Sequence, residues 1–370
     1  MDASIRADHV GSLLRPQPLV DARDAYDRGD IDLSALRAAE DAAILHALDL
    51  QREAGMEVFS DGEFRRAAWV SGLHDVLEGV TATGRRRLRP GAWKGLGEKE
   101  ANAELPIAAL AVTGRIGVSG RFTGVETGFL KAHAPGPFKV TMPSPTIHLN
   151  MFDPETSAAA YPDPGALLDD LVDIYRKEVE AQIEDGAAYI QLDSLRYTQV
   201  IAGFTPNNQP MASAEEVVGQ TIAADNAVLA SARDRGVVTG VHICRGNHRS
   251  AWGASGGYDS VAERLLNEVE ADRFLLEYDD ERSGGFQPLR FLPKGKVVVL
   301  GLVSSKLPAL ENADELRRRV DEAAQYAPLD QLALSPQCGF ASTFRGNLLS
   351  EDDQKRKLEL VADTARRIWN

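Results

Sequence analysis

Four side chains of metal-binding type stand near the ends of short apolar runs: His242, Cys244, Glu277 and Cys338. The two cysteines are the only ones in 370 residues, and His242 is one of seven histidines. Within His-x-Cys, an extended backbone puts both side chains on one face, because side chains alternate along a strand. Two thiolates, one imidazole and one carboxylate make a tetrahedral zinc set. Because the four residues are dispersed along the chain, we predict a catalytic zinc ion with one exchangeable ligand.

Each of these residues also has a structural interpretation that involves no metal. A lone cysteine is commonly a small buried apolar residue, and a lone histidine is commonly a satisfied polar group of the core. Nevertheless, both cysteines, one histidine and several acids fall at predicted strand ends, which indicates a site. Packing alone does not require that arrangement.

Eight short apolar segments supply those strand ends. They are rich in Val, Ile, Leu and aromatic residues and end at Gly, Pro, Asp or Ser, as buried parallel strands do. Amphipathic stretches with apolar residues at three- and four-residue spacing separate most of them. The predicted strands are 6–10, 57–60, 139–142, 189–192, 237–243, 274–278, 297–303 and 332–334, and the predicted helices are 33–54, 165–185, 214–235, 260–271, 314–326 and 351–369.

This alternation predicts the α/β class and, with eight strands, a (β/α)8 TIM barrel formed by one catalytic domain over residues 1–370. Residues 79–137 do not fit a βα unit, so we expect them to form an inserted arm after the second strand. The basic run Arg85–Arg89 within it is interpreted as a solvated loop. In a TIM barrel, functional groups lie where strands run into the βα loops.

Composition limits the classes of partner. The chain has 41 Lys and Arg against 55 Asp and Glu, a formal charge of −14, which disfavours nucleic acid and anionic membranes as partners. The longest apolar run, 297–303, is far shorter than the ~20 residues of a membrane helix. With only two cysteines and no visible targeting segment, we expect a cytoplasmic protein that acts on small molecules. The sequence leaves its oligomeric state open.

Several segments carry a family resemblance. GVHICRGNHRS, FLLEYDDERSGGFQPLRFLPKGKVVVLGLVSSK and ALSPQCGFAS, with DHVGSLLRP, FSDGEFRR and YIQLDS, resemble the cobalamin-independent methionine synthase family, particularly its short single-barrel members. The resemblance implies a zinc-dependent barrel that activates a thiol for alkylation. It assigns the zinc ligands to His242, Cys244, Glu277 and Cys338. Glu277 is also a predicted catalytic residue, as the ligand that loosens when substrate sulfur arrives.

The same resemblance implies where homocysteine is held. The family's positions fall on Gly11 and Ser12, on Glu63, and on Asp193, which we also count as catalytic. The two acids would hold the substrate ammonium group through charge-assisted hydrogen bonds. Arg15, near the predicted rim, is a candidate for an anionic part of the substrate.

The two acids have a second interpretation. Each could cap a helix or pair with an arginine of the rim, such as Arg65 or Arg196.

We predict a zinc-dependent methyltransferase that makes methionine from homocysteine and a methyl donor such as a methyltetrahydrofolate. An alternative within the family is an alkyltransferase that uses another thiol, for example one that opens an epoxide with coenzyme M. A third possibility is a non-catalytic barrel with structural zinc. The donor stays open, because Ser304-Ser305 replaces a His-Ser pair of the larger family members, and the segment with His148 and Phe152 lacks their tryptophan.

Overall fold

The computed structural model of the chain describes residues 5–85, 93–102, 108–203 and 213–369. The predicted loop at Arg85–Arg89 lies outside the described residues from position 86 onward. The strands are β1 (Leu77–Arg85), β2 (Lys94–Gly95), β3 (Ala108–Val118), β4 (Lys139–Pro143), β5 (Tyr189–Asp193), β6 (Val238–Ile243), β7 (Ala251–Trp252), β8 (Arg273–Glu277), β9 (Val297–Val303) and β10 (Leu332–Pro336).

Helices follow most of these strands. They are α1 (Gln17–Asp27), α2 (Leu33–Glu53), α3 (Ser71–His74), α4 (Glu98–Ala101), α5 (Gly124–His133), α6 (Pro154–Ser157), α7 (Pro164–Glu184), α8 (Arg196–Ala202), α9 (Ala214–Leu229), α10 (Ala262–Glu268), α11 (Ala313–Ala323) and α12 (Glu351–Trp369). Among the described residues, no helix combines the length and the apolar character needed to cross a membrane.

The chain forms a TIM barrel, as predicted. Six parallel strands pair in the order β4-β5-β6-β8-β9-β10. Two further segments complete the ring: Ala7 forms a parallel bridge with Leu334 of β10, and Phe59 forms one with Phe138 beside β4. Every residue of the six strands is buried, which accounts for their continuous apolar sequence.

The first two barrel segments differ from the predicted strands at 6–10 and 57–60, because each makes only a single bridge. Side chains connect these two segments to each other. The imidazole of His9 hydrogen-bonds Val58 O at 3.0 Å, and Ser60 Oγ donates to Gly11 O at 2.7 Å. A regular ladder is therefore replaced by side-chain contacts next to the loops that end these segments.

Local signals set the helix starts. Asp163 caps α7 by accepting from Ala166 N, and Pro164 opens that helix. Ser213 and Glu216 form a capping box at α9. The predicted helix at 214–235 is shorter in the structure, since α9 ends at Leu229 and a 3-10 turn follows.

Residues 77–118 include an antiparallel hairpin of β1 and β3, and β2 pairs with β7 in the loop after β6. The predicted insertion, residues 79–137, also contains α5, which packs on α7. The pairing of β2 with β7 brings this arm to the carboxyl end of β6, the strand that carries His242.

Candidate metal centre and substrate site

The carboxyl ends of β6 and β10 bring three of the predicted ligands together. His242 lies in β6, Cys244 follows it, and Cys338 follows β10. Their ligand atoms all lie within 4.8 Å of one another, and all three residues are buried. Residues almost one hundred positions apart in the sequence thus form one N,S,S cluster, because the βα loops of a barrel converge at one face.

Hydrogen bonds orient the imidazole. His242 Nδ1 lies 3.0 Å from Leu275 O, so it is the nitrogen that donates a proton. In the described part of the chain, His242 Nε2 has no hydrogen-bond partner, although it is buried. It faces the cysteines instead. A buried nitrogen left free in this way is suited to bind a metal, with the backbone carbonyl fixing the tautomer.

The two thiols differ in their ionisation. The hydrogen bond from Cys338 and the nearby imidazole hold the pKa of Cys244 well below its usual range. The same hydrogen bond, together with burial, raises the pKa of Cys338. The Gly246 N–H also points at Cys244 Sγ, at 3.3 Å. These contacts stabilise one negative charge on the sulfur pair, and one imidazole with two sulfurs is a donor set that suits zinc.

Glu277, the fourth predicted ligand, ends β8 but lies outside this cluster. Its Oε2 accepts the Arg245 N–H at 2.9 Å, and its Oε1 accepts Arg282 Nε at 2.9 Å. Burial raises the pKa of this carboxyl, but the charges of Lys306, Arg282 and Arg245 outweigh burial and lower it. Glu277 is therefore an ionised carboxylate held beside the cluster by other residues.

Acidic side chains from neighbouring strands lie near the same point. Asp193 ends β5 beside His242 of β6 and accepts Gln191 Nε2 at 2.8 Å. Glu63 Oε1 accepts the Thr141 hydroxyl at 2.8 Å. Burial raises the pKa of Asp193 to about 7, and the charge of Glu63 acts in the same direction. Two carboxylates are thus buried close enough together for the charge of one to act on the other.

Unsatisfied oxygens mark this acidic group. Within the described ranges, Glu63 Oε2, Asp61 Oδ2 and Gln191 Oε1 are buried and have no hydrogen-bond partner. Buried polar atoms are generally paired, so several free acceptors in one place indicate a missing donor. A small ammonium group supplies three donors.

Gly11 and Ser12 lie in the loop after the first barrel segment, which contacts both Glu63 and the segment after Cys338. Gly11 has φ +132°, and a Cβ there would lie 2.6 Å from the Thr141 methyl carbon and 3.4 Å from Glu63 Oε1. Ser12 O accepts Phe340 N–H at 2.9 Å, which ties this loop to the segment after Cys338. Only glycine permits so close an approach of the backbone to Glu63.

Arg15 bonds to the backbone of the segments around this loop. Its guanidinium donates to four backbone carbonyls, including Glu63 O at 2.6 Å and Ala341 O at 2.9 Å. It also lines an outer cleft of about 550 Å³ together with Arg249 and Arg345. These contacts fit a residue that holds the loops of the site, so its predicted direct contact with substrate stays a prediction.

The arginines suggested as alternative partners of Glu63 and Asp193 either pair with other residues or form no ion pair among the described residues. Arg65 pairs with Glu40 at 3.0 Å and with Asp41 at 2.5 Å. Glu63 has only a 3.9 Å approach from Arg66 among the described ion pairs. No ion pair of Arg196 occurs among the described residues, and its Nε is buried without a partner.

Two basic residues of the site, Arg282 and Lys306, were not predicted from the sequence. Arg282 contacts Glu277 at 2.7 Å and Asp279 at 2.7 Å. Lys306 follows β9 and is buried between the strands that carry Glu277 and Cys338. Lys306 follows the predicted strand 297–303, and this position in the sequence could have identified it as a site residue. No sequence pattern indicated the turn that brings Arg282 back to Glu277.

Comparison with known proteins gives the family. The sequence profile described as "Cobalamin-independent synthase, Catalytic domain" matches residues 163–351, about half of the chain. The uncharacterised protein YxjH of Bacillus subtilis is 38% identical over 99% of this chain and 95% of its own. The chain belongs to the cobalamin-independent synthase family.

Other relatives agree with this assignment. A methionine synthase of Pyrococcus abyssi is 27% identical over 48% of this chain and 44% of its own. The structure of a putative vitamin-B12 independent methionine synthase from Listeria monocytogenes superposes with TM-score 0.76 at 27% identity, covering 100% of this chain and 99% of that one. A B12-independent methionine synthase from Shewanella, solved with selenomethionine, shares the fold with TM-score 0.74 at 18% identity over 98% of this chain and 97% of its own. This cobalamin-independent synthase is a methionine synthase-like methyltransferase.

Proposed function

We propose that this family member is a zinc-dependent thiol methyltransferase whose substrate is homocysteine and whose product is methionine. The observation that carries the proposal is the placing of the His242, Cys244 and Cys338 cluster beside a group of buried acids with free oxygens. The cluster suits a soft metal and the acids suit an ammonium group. A thiol with an amino group a few bonds away is complementary to both.

His242, Cys244 and Cys338 would hold the zinc ion, with Glu277 as the exchangeable fourth ligand. Bound zinc would lower the pKa of a thiol that joins it, so that the nucleophilic thiolate exists at neutral pH. Burial of all three residues keeps water away from that sulfur.

Glu277 is suited to exchange because other groups already stabilise its charge. Its carboxylate accepts from Arg282 and from the Arg245 backbone, so it can leave the metal without becoming an unpaired buried anion. Glu277 would therefore be the ligand that gives way to the substrate sulfur, and its hydrogen bonds to Arg282 and the Arg245 backbone would hold its charge.

Glu63 and Asp193 would bind the ammonium group of the amino acid. Burial, and to a smaller extent the charge of Glu63, raises the pKa of Asp193, and a cation between the two acids would offset both effects. Gly11 lets the backbone approach this position, and the Ser12 side chain lies against Gly339, the residue after Cys338. This arrangement favours an amino-acid thiol over coenzyme M, whose polar end is a sulfonate.

The direct test is zinc-edge X-ray absorption of the zinc-loaded protein. We expect two sulfur ligands without substrate and three with L-homocysteine. A rise with coenzyme M and none with homocysteine would support the alternative alkyltransferase, and no change with any thiol would exclude both.

Cys338→Ser is the matching variant. We expect it to lose zinc, measured by mass spectrometry of the metal, and to lose methyl transfer to homocysteine, because one of two soft ligands is gone. Full turnover by this variant would show that the ligand assignment is wrong. Removal of zinc from the native protein by a chelator should leave the barrel folded by circular dichroism, whereas unfolding would favour a structural zinc.

A further inference from the structure

Lys306 is a buried cation without a hydrogen-bond or ion-pair partner among the described residues. Its side chain is 3% exposed, and its Nζ makes no hydrogen bond to any described residue. The described ion pairs also include none within 4.0 Å of this nitrogen. By contrast, the other buried lysine of the barrel interior, Lys139, pairs with Asp8 at 2.9 Å.

A buried ammonium without a hydrogen-bond acceptor is unfavourable for the folded protein, since its N–H groups have lost water and gained no acceptor in exchange. The carboxylate of Glu277 is close enough for the Lys306 charge to lower its pKa, yet that carboxylate is bonded to Arg282 and the Arg245 backbone. The Lys306 N–H groups are therefore available for an acceptor that the described residues do not supply.

The position of Lys306 in the ring indicates which group that is. Glu63 and Asp193 follow the second barrel segment and β5, the two neighbours of β4. Lys306 follows β9, which lies opposite β4 in a ring of eight, between the strands of Glu277 and Cys338. An amino acid held by its ammonium group at the acids keeps its carboxylate on that side. The partner of Lys306 is then the second substrate.

We propose that Lys306 contacts the methyl donor at the atom that carries the methyl group, an assignment that rests on the proposed thiol methyltransferase function. In the reaction, the thiolate sulfur forms a bond to the methyl carbon while the bond from that carbon to the donor atom breaks. The electron pair of the broken bond stays on the donor atom, whose charge becomes more negative by one. The Lys306 ammonium donates a hydrogen bond to that atom and passes its proton to it as the bond breaks, so that the demethylated donor leaves uncharged and Lys306 is left as a neutral amine.

This contact restricts the chemical class of the donor. A donor with an uncharged methyl-bearing atom gains attraction to Lys306 as its leaving atom becomes negative. A sulfonium or quaternary ammonium donor arrives with a positive charge beside a fixed cation and leaves as a neutral molecule. Lys306 therefore selects for uncharged donor atoms and against cationic ones.

The first test uses bromide as an anion probe and does not depend on turnover. In crystals of the zinc-loaded protein soaked in bromide, we expect anomalous density within hydrogen-bond distance of Lys306 Nζ. Lys306→Met, which keeps the length of the side chain, should lose that bromide. The variant should also melt at a higher temperature than the native protein, because the buried N–H groups without acceptors are gone. Lys294→Met, at an exposed lysine, is the control and should change neither result.

The second test compares two donors, 5-methyltetrahydrofolate and S-methylmethionine, which is a sulfonium. For Lys306→Met, we expect methyl transfer from the folate to fall ~100-fold, as when a donor of transition-state stabilisation is removed. Transfer from the sulfonium should not fall. Zinc content and homocysteine binding should equal those of the native protein, and Lys306→Arg should recover part of the folate rate.

The outcomes separate this inference from the proposed function. No bromide at Lys306, a lower melting temperature for Lys306→Met, or equal losses with both donors would overturn the role of Lys306. Failure of any thiol to join the zinc would overturn the proposed function instead. If the native protein uses neither donor, the bromide site and the melting temperature still decide whether Lys306 is an anion-binding cation.

Discussion

At the scale of single residues, some polar groups of the site have hydrogen-bond partners and others have none among the described residues. His242 Nδ1, Glu277 and Arg282 have their partners within the protein. His242 Nε2, Glu63 Oε2 and Lys306 Nζ have none among the described residues, and all three are buried. In the function and the Lys306 role proposed above, these three groups would bind a metal ion, the substrate ammonium group and the methyl donor, respectively.

The acids give a prediction at this scale. Glu63→Gln should weaken homocysteine binding about 10–100-fold, since a charge-assisted hydrogen bond contributes about 1.5–3 kcal/mol. Isothermal titration of the zinc-loaded protein measures the change. The thiol 4-sulfanylbutanoate lacks the amino group, so its affinity should not fall in the variant. Glu155→Gln, at an exposed acid of α6, is the control, and an equal loss for both thiols would contradict the assignment.

At the scale of elements, the loop after β6 connects the segment that carries β2 to the cluster of His242, Cys244 and Cys338. Gly246 donates to Cys244 Sγ with φ +87°. A Cβ on Gly246 would lie 3.1 Å from Gly253 N and 3.2 Å from the ring of Trp93. The residue before β2 therefore packs directly on the loop that orients a predicted ligand.

Gly246→Ala should weaken zinc binding about tenfold, because contacts of this kind orient metal ligands. Competition with a chromogenic chelator measures the zinc affinity. Gly236→Ala is the matched control, since Gly236 has φ +72° and no atom within 4 Å of the added Cβ. It carries the same backbone strain and should bind zinc normally. Equal zinc affinities of the two variants would show that the loop does not position Cys244.

At the scale of the whole molecule, a buried ion cluster holds the amino-terminal end of the barrel. Lys139 begins β4 and pairs with Asp8 at 2.9 Å, while Arg273 begins β8 and lies 3.4 Å from the same carboxylate. Burial alone would raise the pKa of Asp8, but the two cations outweigh it and hold the pKa below 3.8. The cluster connects the first barrel segment to strands that are distant in sequence.

Asp8→Asn should destabilise the protein by about 3–5 kcal/mol at pH 7, because two buried cations lose their anion. A carboxylate with a lowered pKa stabilises the fold above its ordinary value of 3.8, and that contribution is lost as the pH falls below it. The difference between native and variant should therefore shrink on acidification. Urea unfolding at pH 7 and pH 3.5 measures it. Asp49→Asn, at an exposed acid of α2, should change stability by less than about 1 kcal/mol.

The sequence by itself determined the barrel and the identity of the cluster residues. Buried parallel strands require continuous apolar runs, and these are visible locally, as are the caps of α7 and α9. Cys244 and Cys338 were recognisable because cysteine is rare in the chain and both follow such runs. These features depend on neighbouring residues alone.

Only the tertiary structure decided how the charged residues of the site are partnered. Glu277 was a predicted ligand, and its bonds to Arg282 and the Arg245 backbone depend on a turn that no local pattern indicates. Arg15 was predicted to contact substrate, and the structure gives it four backbone carbonyls from two distant loops. Lys306 stood at a strand end in the sequence, but its lack of a partner is a property of everything packed around it. Whether a buried charge is satisfied depends on atoms from many strands, and only the closed barrel brings those atoms together.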